Sequence, residues 1–183
     1  MSGYKMSNSE ITAKEDKIKF SLKDVIFTTI FTIAFILQIF LMFFVQNQIN
    51  IPFLFFSGWI LWIISLYFAF IPFFAFKKRG GVVKGKSYIN TSKVVKDGSY
   101  AIIRHPQYLS GILFSISMTL WNPVWYNIVL SIIIIILTYQ WTYAEDKHLI
   151  GKFGQDYETY KSEVPRLNLI LGFIKYFAKK NNK

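Results

Sequence analysis

VIFTTIFTIAFILQIFLMFFV, running from Val25 to Val45, carries no charged side chain and is almost wholly apolar. About 20 such residues suffice to cross the hydrocarbon core of a bilayer as a helix, so the stretch predicts a transmembrane span. Outward from it the same composition recurs. Pro52 to Phe76 is a second long apolar run, dense in Phe, with Trp59, Trp62 and an internal Pro72. A proline there removes one backbone hydrogen bond and can kink the helix, which membrane helices tolerate. A third run, Tyr108 to Leu120, is short for a crossing unless it extends back through Pro106, where proline suits the first turn of a helix. The fourth, Val124 to Tyr143, includes five consecutive Ile. Between the last two, Trp121-Asn122-Pro123 reads as a tight turn. The expected fold is all-α: a multi-pass transmembrane helical protein with about four spans, the last two forming a helical hairpin.

Charge sets the orientation. All 21 Lys and Arg fall within residues 1–24, 77–106 and 146–183, while the connections at Gln46 to Ile51 and at Asn122 hold none. The positive-inside rule then places both termini and the middle loop in the cytoplasm, and the membrane is the cell membrane if the chain is prokaryotic. Trp121 and Trp125 at the far turn suit an interfacial aromatic belt. Three regions follow: a cytoplasmic N-terminal segment (1–24), the first two transmembrane helices (25–76), and a core with the hairpin and a cytoplasmic C-terminal cap (77–183). Residues 12–24 mix charge with Ile18, Phe20 and Leu22, and Leu167 to Lys180 sets Leu, Ile and Phe beside lysines. Both suit the membrane surface, the second as an amphipathic helix against anionic lipid.

Composition closes off several function classes. Only 17% of the residues are charged, against about 25% in soluble domains. The net charge of +11 suits nucleic acid in principle, but the hydrophobic runs argue against that partner. With no cysteine there is no disulfide or thiolate nucleophile, and two histidines without cysteine make a poor zinc ligand set, so no metal is expected. No cleavable signal is expected either: Lys, Glu and Asp mix in the first two dozen residues, and the apolar run after them is too long. No Ser/His/acid triad or phosphate-binding glycine loop is legible. Nothing in the sequence signals an oligomeric state.

Polar chemistry concentrates in two segments. One is Gly98-Ser99-Tyr100-Ala101-Ile102-Ile103-Arg104-His105-Pro106-Gln107-Tyr108. The other is Glu145-Asp146-Lys147-His148-Leu149, followed by Phe153-Gly154, Tyr157, Tyr160 and Val164-Pro165-Arg166. A short antiparallel hairpin makes its two open ends neighbours, which brings an Arg/His/Tyr group beside an acidic pair. Each group alone has an ordinary reading, as a headgroup anchor or a solvated acidic turn, and Lys77-Lys78-Arg79 is an anchor of that kind.

Taken in order, Gly98-x-Tyr100, Arg104-His105-Pro106-x-Tyr108, the acidic pair with Leu149, Phe153-Gly154, Tyr157, Tyr160 and Arg166 resemble the isoprenylcysteine carboxyl methyltransferase and phospholipid methyltransferase family. The likeness covers about residues 76–172. Lys84-Gly85-Lys86-Ser87-Tyr88 and Val164-Pro165-Arg166-Leu167-Asn168 resemble a prokaryotic, archaeal-like branch. The resemblance implies a membrane methyltransferase that uses S-adenosylmethionine (SAM), held in a cytoplasmic pocket capped by the C-terminal segment, with a lipidic or prenylated substrate arriving through the bilayer. It implies that Tyr100, His105, Tyr108, Glu145, Asp146 and Leu149 bind the cofactor. Asp146 stands where a second Glu is common in the family, and Leu169 where many members have proline.

The chemistry agrees with that implication. A sulfonium cation with an amino acid tail favours a carboxylate and aromatic faces, and in-line methyl transfer asks mainly for positioning and exclusion of water. Arg104 or Arg166 would orient a carboxylate acceptor, the isoprenylcysteine type favoured here. An amine acceptor would instead need a base such as Glu145 or Asp146. Two readings compete: a non-catalytic membrane protein that binds lipid or a partner through its basic face, and a membrane reductase, for which no nicotinamide-binding signature exists.

Overall fold

The structure, a computed structural model, describes residues 22–45, 51–82 and 91–181. Most of the N-terminal segment, the Gln46 to Asn50 connection and Lys84-Gly85-Lys86-Ser87-Tyr88 lie outside the described residues. Within these bounds the chain is helical and has no strand. Its helices are α1 (Leu22–Phe44), α2 (Pro52–Arg79), α3 (Pro106–Trp121), α4 (Trp125–Phe153), α5 (Gln155–Glu163) and α6 (Leu169–Asn181), with a 3-10 turn at Gly98–Ala101 before α3.

Three helices are long and apolar enough to cross a membrane: Val25–Phe44, Pro52–Arg79 and Trp125–Phe153, with mean hydropathies of 2.4, 2.1 and 1.5. Their outward faces are apolar, as lipid requires; Ile33, Ile36, Phe53, Ile60, Phe70 and Ile132 are all at least half exposed. This is a membrane protein. α3 has only 16 residues, so at 1.5 Å per residue it measures about 24 Å, less than the hydrocarbon thickness of about 30 Å. α4 is the opposite case. It has 29 residues, about 43 Å, and runs ten residues beyond the apolar stretch that ends at Tyr143. Nothing breaks it before Gly154, which adopts φ +56° and a backbone region that is essentially glycine-only.

Prolines and an asparagine set the remaining limits. Pro52 and Pro106 occupy the first turns of α2 and α3, where no N–H is needed. The turn at Trp121-Asn122-Pro123 closes the α3–α4 hairpin as expected, and Asn122 does more than turn the chain. Its Nδ2 donates to the carbonyls of Leu41 and Val45 at 3.1 Å each, adding a second donor to Leu41, which already accepts from the Val45 amide, and tying the turn to the end of α1. Deeper in the bundle, Gln38 of α1 is fully buried. It donates to the Ser115 carbonyl (3.0 Å) and the Thr119 hydroxyl (3.1 Å), and accepts from the Ser115 hydroxyl (2.8 Å). Polar links of this kind join helices where lipid supplies no hydrophobic drive. On the other side, α2 and α3 approach closely at Gly58, where a Cβ would come within 2.8 Å of the Trp121 ring.

The polar end is built from loops and short helices folded back on the hairpin. Ser92 and Lys93 donate their amides to the Gly80 carbonyl at 2.8 and 3.2 Å. Arg104 and His105 donate theirs to the carbonyls of Pro165 and Arg166 at 3.0 and 3.3 Å. Asn168 caps α6 through Oδ1, which accepts from Leu171 N at 3.0 Å. Leu169 is therefore the first residue of that helix, the place where proline is also tolerated, so its departure from the family pattern leaves the cap intact. Ile103, buried with Phe68 and Leu109, and the Tyr157, Tyr160 and Val164 cluster complete the packing at this end.

Candidate active site

Four elements meet around one carboxylate. Arg104 and His105 come from the approach to α3, Asp146 from α4, Tyr157 from α5 and Arg166 from the link into α6. Asp146 is 2% exposed. Its Oδ1 accepts from Tyr157 Oη at 2.6 Å, His105 Nε2 at 2.9 Å and Arg104 Nη1 at 3.1 Å. Its Oδ2 accepts from Arg166 Nη2 at 2.9 Å and Nε at 3.2 Å. An ionised carboxylate only accepts, so the His105 contact fixes the proton on Nε2. Arg166 also lies over the Tyr143 ring, 3.5 Å from its centre, as a planar guanidinium favours.

Burial raises the phenol pKa of Tyr157, and its hydrogen bond to Asp146 raises it further. Tyr160 and Tyr100 are pushed up by burial as well, with neighbouring phenols and Glu145 adding to it. All three remain neutral donors, and Tyr160 Oη donates to the Tyr100 carbonyl at 2.7 Å. For Arg166 burial works against the charge, but Asp146 and Tyr143 together outweigh it through their hydrogen bonds and charge, and the pKa rises.

Beside this cluster lies a cavity of about 150 Å³. Of the residues expected from sequence, Tyr100, Arg104, His105, Tyr108, Glu145 and Leu149 line it together. Asp146 and Arg166 do not; they stand behind the lining and hold Arg104 and His105 in place. Glu145 is half-buried and accepts from Tyr108 Oη at 3.3 Å. It is the one carboxylate on the cavity wall among the described residues, where Lys93, Lys152 and Arg104 supply positive charge. Arg104 Nε is buried with no hydrogen-bond partner among the described residues.

His148, Lys152, Phe153 and Lys93 also line the cavity; sequence reasoning quoted His148 and Phe153 in its motifs without giving either a site role, and named neither lysine. His148 and Lys152 were within reach, because Glu145, His148, Leu149 and Lys152 repeat at the spacing of one helical face. Lys93 sits in an irregular loop and carries no such signal. No cluster that could hold a metal ion exists among the described residues.

A family model for phospholipid methyltransferase matches residues 53–156, more than half of the chain. The chain belongs to this family. This phospholipid methyltransferase family member is therefore a membrane methyltransferase for lipid-type substrates, in agreement with the likeness carried by Arg104-His105-Pro106-x-Tyr108 and Glu145. No curated protein and no solved structure matched it. The matched stretch runs from α2 to the first turn of α5. Two donors to Asp146, Tyr157 and Arg166, lie beyond it, as does the whole of α1.

Proposed function

We propose that the protein transfers a methyl group from SAM to a membrane lipid, with the amine of a lipid headgroup as the acceptor. The observation that carries the acceptor choice is the pairing of Arg104 and Arg166 with Asp146. The sequence offers those two cations to orient a carboxylate acceptor of the isoprenylcysteine type, and both are turned to a buried anion instead. Glu145 remains on the cavity wall, and it suits an amine.

The lining fits SAM in chemistry. Lys93 and Lys152 on the cavity wall suit the carboxylate of the amino acid tail. Glu145 suits the ribose hydroxyls, while His105, Tyr100 and Tyr108 add polar edges and ring faces. Leu149 and Phe153 give an apolar floor. When bound, SAM supplies a methyl group made electrophilic by its sulfonium. At about 150 Å³ the cavity is smaller than the roughly 300–1,000 Å³ of typical ligand sites, so it would enclose only part of the cofactor.

The protein's own work is positional. An ammonium head must lose a proton before nitrogen can attack, and Glu145 is the group placed to take it. Tyr108 donates to that same carboxylate and holds its orientation. Asp146 and Arg166 act one layer back, as positioning residues, through Arg104 and His105.

The topology we propose is four crossings with both termini in the cytoplasm. The Asn122 turn bonds to the end of α1, so α3 starts at the polar end and reaches the level where α1 finishes. Every connection at the polar end is basic and the far turn is not, which supports a cytoplasmic polar end. Equilibrium dialysis of labelled SAM against the purified protein tests the cofactor reading: saturable binding that Glu145→Gln weakens is expected, and no binding refutes it.

A further inference from the structure

Tyr160 lines two cavities. One is the cavity beside Asp146; the other, of about 440 Å³, opens between the loop before the 3-10 turn, the end of α5 and one face of α6. Four lysines, Lys96, Lys175, Lys179 and Lys180, line this second cavity against two carboxylates, Asp97 and Glu163. Lys179 Nζ meets Glu163 Oε2 at 2.6 Å, while Lys96, Lys175 and Lys180 have no ion-pair partner among the described residues. All three are exposed. Cations gathered around one concave wall, with Asp97 alone against them, make a site for an anion.

The two sides of α6 decide which anion. Gly172 is buried, and a Cβ there would meet the Ile102 carbonyl, so this side of the helix packs on the chain. Lys175 and Lys179 follow Gly172 by three and seven residues, which places them on the same side, over the cavity. The opposite side is apolar: Ile170, Phe173, Ile174 and Phe177 recur at helical spacing and are all exposed. The loop side of the cavity lies at the membrane boundary as well. A Cβ on Gly98, next to Asp97, would come within 3.1 Å of Nη1 of Arg79, the last residue of the membrane-crossing α2. A soluble anion would use the lysines and leave four large apolar side chains in water. A bilayer with anionic heads uses both sides: hydrocarbon covers the apolar one, and a head reaches the lysines.

We infer that this cavity binds the phosphate head of an anionic membrane lipid, which is held there and not methylated. The head meets Lys96 from the loop and Lys175 and Lys180 from α6, and so ties the C-terminal cap to the loop that leads into Tyr100 and Arg104. A phosphodiester head without a cation suits the lysines; a zwitterionic head brings its own ammonium against them. None of these three lysines lines the cavity beside Asp146, so the site stands apart from methyl transfer and does not depend on it.

The test titrates the full chain in detergent with dioctanoyl phosphatidylglycerol, dioctanoyl phosphatidylcholine and glycerol 1-phosphate, and counts bound molecules by native mass spectrometry. Phosphatidylglycerol should bind the most tightly of the three. Removing one lysine should weaken it about fivefold, whether from the loop in Lys96→Gln or from α6 in Lys175→Gln. Lys77→Gln, at the end of α2 and outside the cavity, should leave it nearly unchanged, and circular dichroism melting should show all three variants folded. Equal binding of the two lipids overturns the inference. An equal loss in Lys77→Gln overturns it too, since the attraction would then belong to a diffuse basic surface. Glycerol 1-phosphate binding as tightly as phosphatidylglycerol would assign the cavity to a soluble phosphate ester and refute the lipid.

Discussion

Replacing Asp146 with Asn should damage the fold far more than the chemistry alone would suggest. The carboxylate is 2% exposed and takes hydrogen bonds from Tyr157, His105, Arg104 and Arg166. Asn keeps the shape, removes the only negative charge in the cluster and turns a donor towards groups that themselves donate. Removing one partner of a buried ion pair costs about 3–5 kcal/mol. Two guanidinium groups lose their counterion here, which places the loss near the upper end, about 5 kcal/mol. For a chain of this size each kcal/mol shifts the melting midpoint by about 2–4 °C, so a fall of about 10–20 °C is expected. Circular dichroism of the detergent-solubilised protein on heating measures it. Glu145→Gln is the control, since Glu145 makes one long hydrogen bond at the cavity wall; it should melt within a few degrees of the wild type and lose transfer. If Asp146→Asn melts with the wild type, the cluster holds no net stabilisation and Asp146 is not what positions Arg104 and His105.

Three further outcomes follow from the same geometry. Tyr157→Phe removes a single charge-assisted donor to Asp146 and should cost about 1.5–3 kcal/mol in the same melting experiment, less than Asp146→Asn. Gly172→Ala places a Cβ against the Ile102 carbonyl, so α6 must lift from the segment leading to Arg104; a loss of about 1–3 kcal/mol with weaker SAM binding is expected by unfolding and dialysis. The Tyr160 phenol, raised by burial and by Tyr157 beside it, titrates later in the folded state than in the unfolded one, where phenols ionise near about 10. The stability it confers is then complete below about pH 10 and lost as pH rises above it, so melting midpoints between pH 8 and 11 should fall more steeply for the wild type than for Tyr160→Phe.

How much of this was legible in the sequence depends on the range of the interaction. α1, α2 and α4 follow from uninterrupted apolar runs, and Pro106 and Pro123 mark the limits of the hairpin because proline restricts where a helix can begin. The continuation of α4 to Phe153 was harder to see. Hydropathy falls at Tyr143, but helix geometry needs only the absence of a breaker, and Gly154 is the first. The gathering of Tyr100, His105, Tyr108 and Glu145 was legible because a hairpin must bring its ends together. The partner of Arg104 and Arg166 was not. It depends on residues 165–166 returning across 104–105 by backbone hydrogen bonds, a long-range pairing that no local pattern announces.

The central claim is that Glu145 lines the place where a methyl group passes from SAM to a lipid amine. Membranes carrying the full chain, incubated with methyl-labelled SAM and then extracted, test it directly. The account predicts label in the lipid fraction that survives base treatment, as an N-methyl headgroup does, and its loss in Glu145→Gln at unchanged protein level. Label released by base as methanol would contradict the amine acceptor, and no lipid label at all would contradict methyl transfer to lipid.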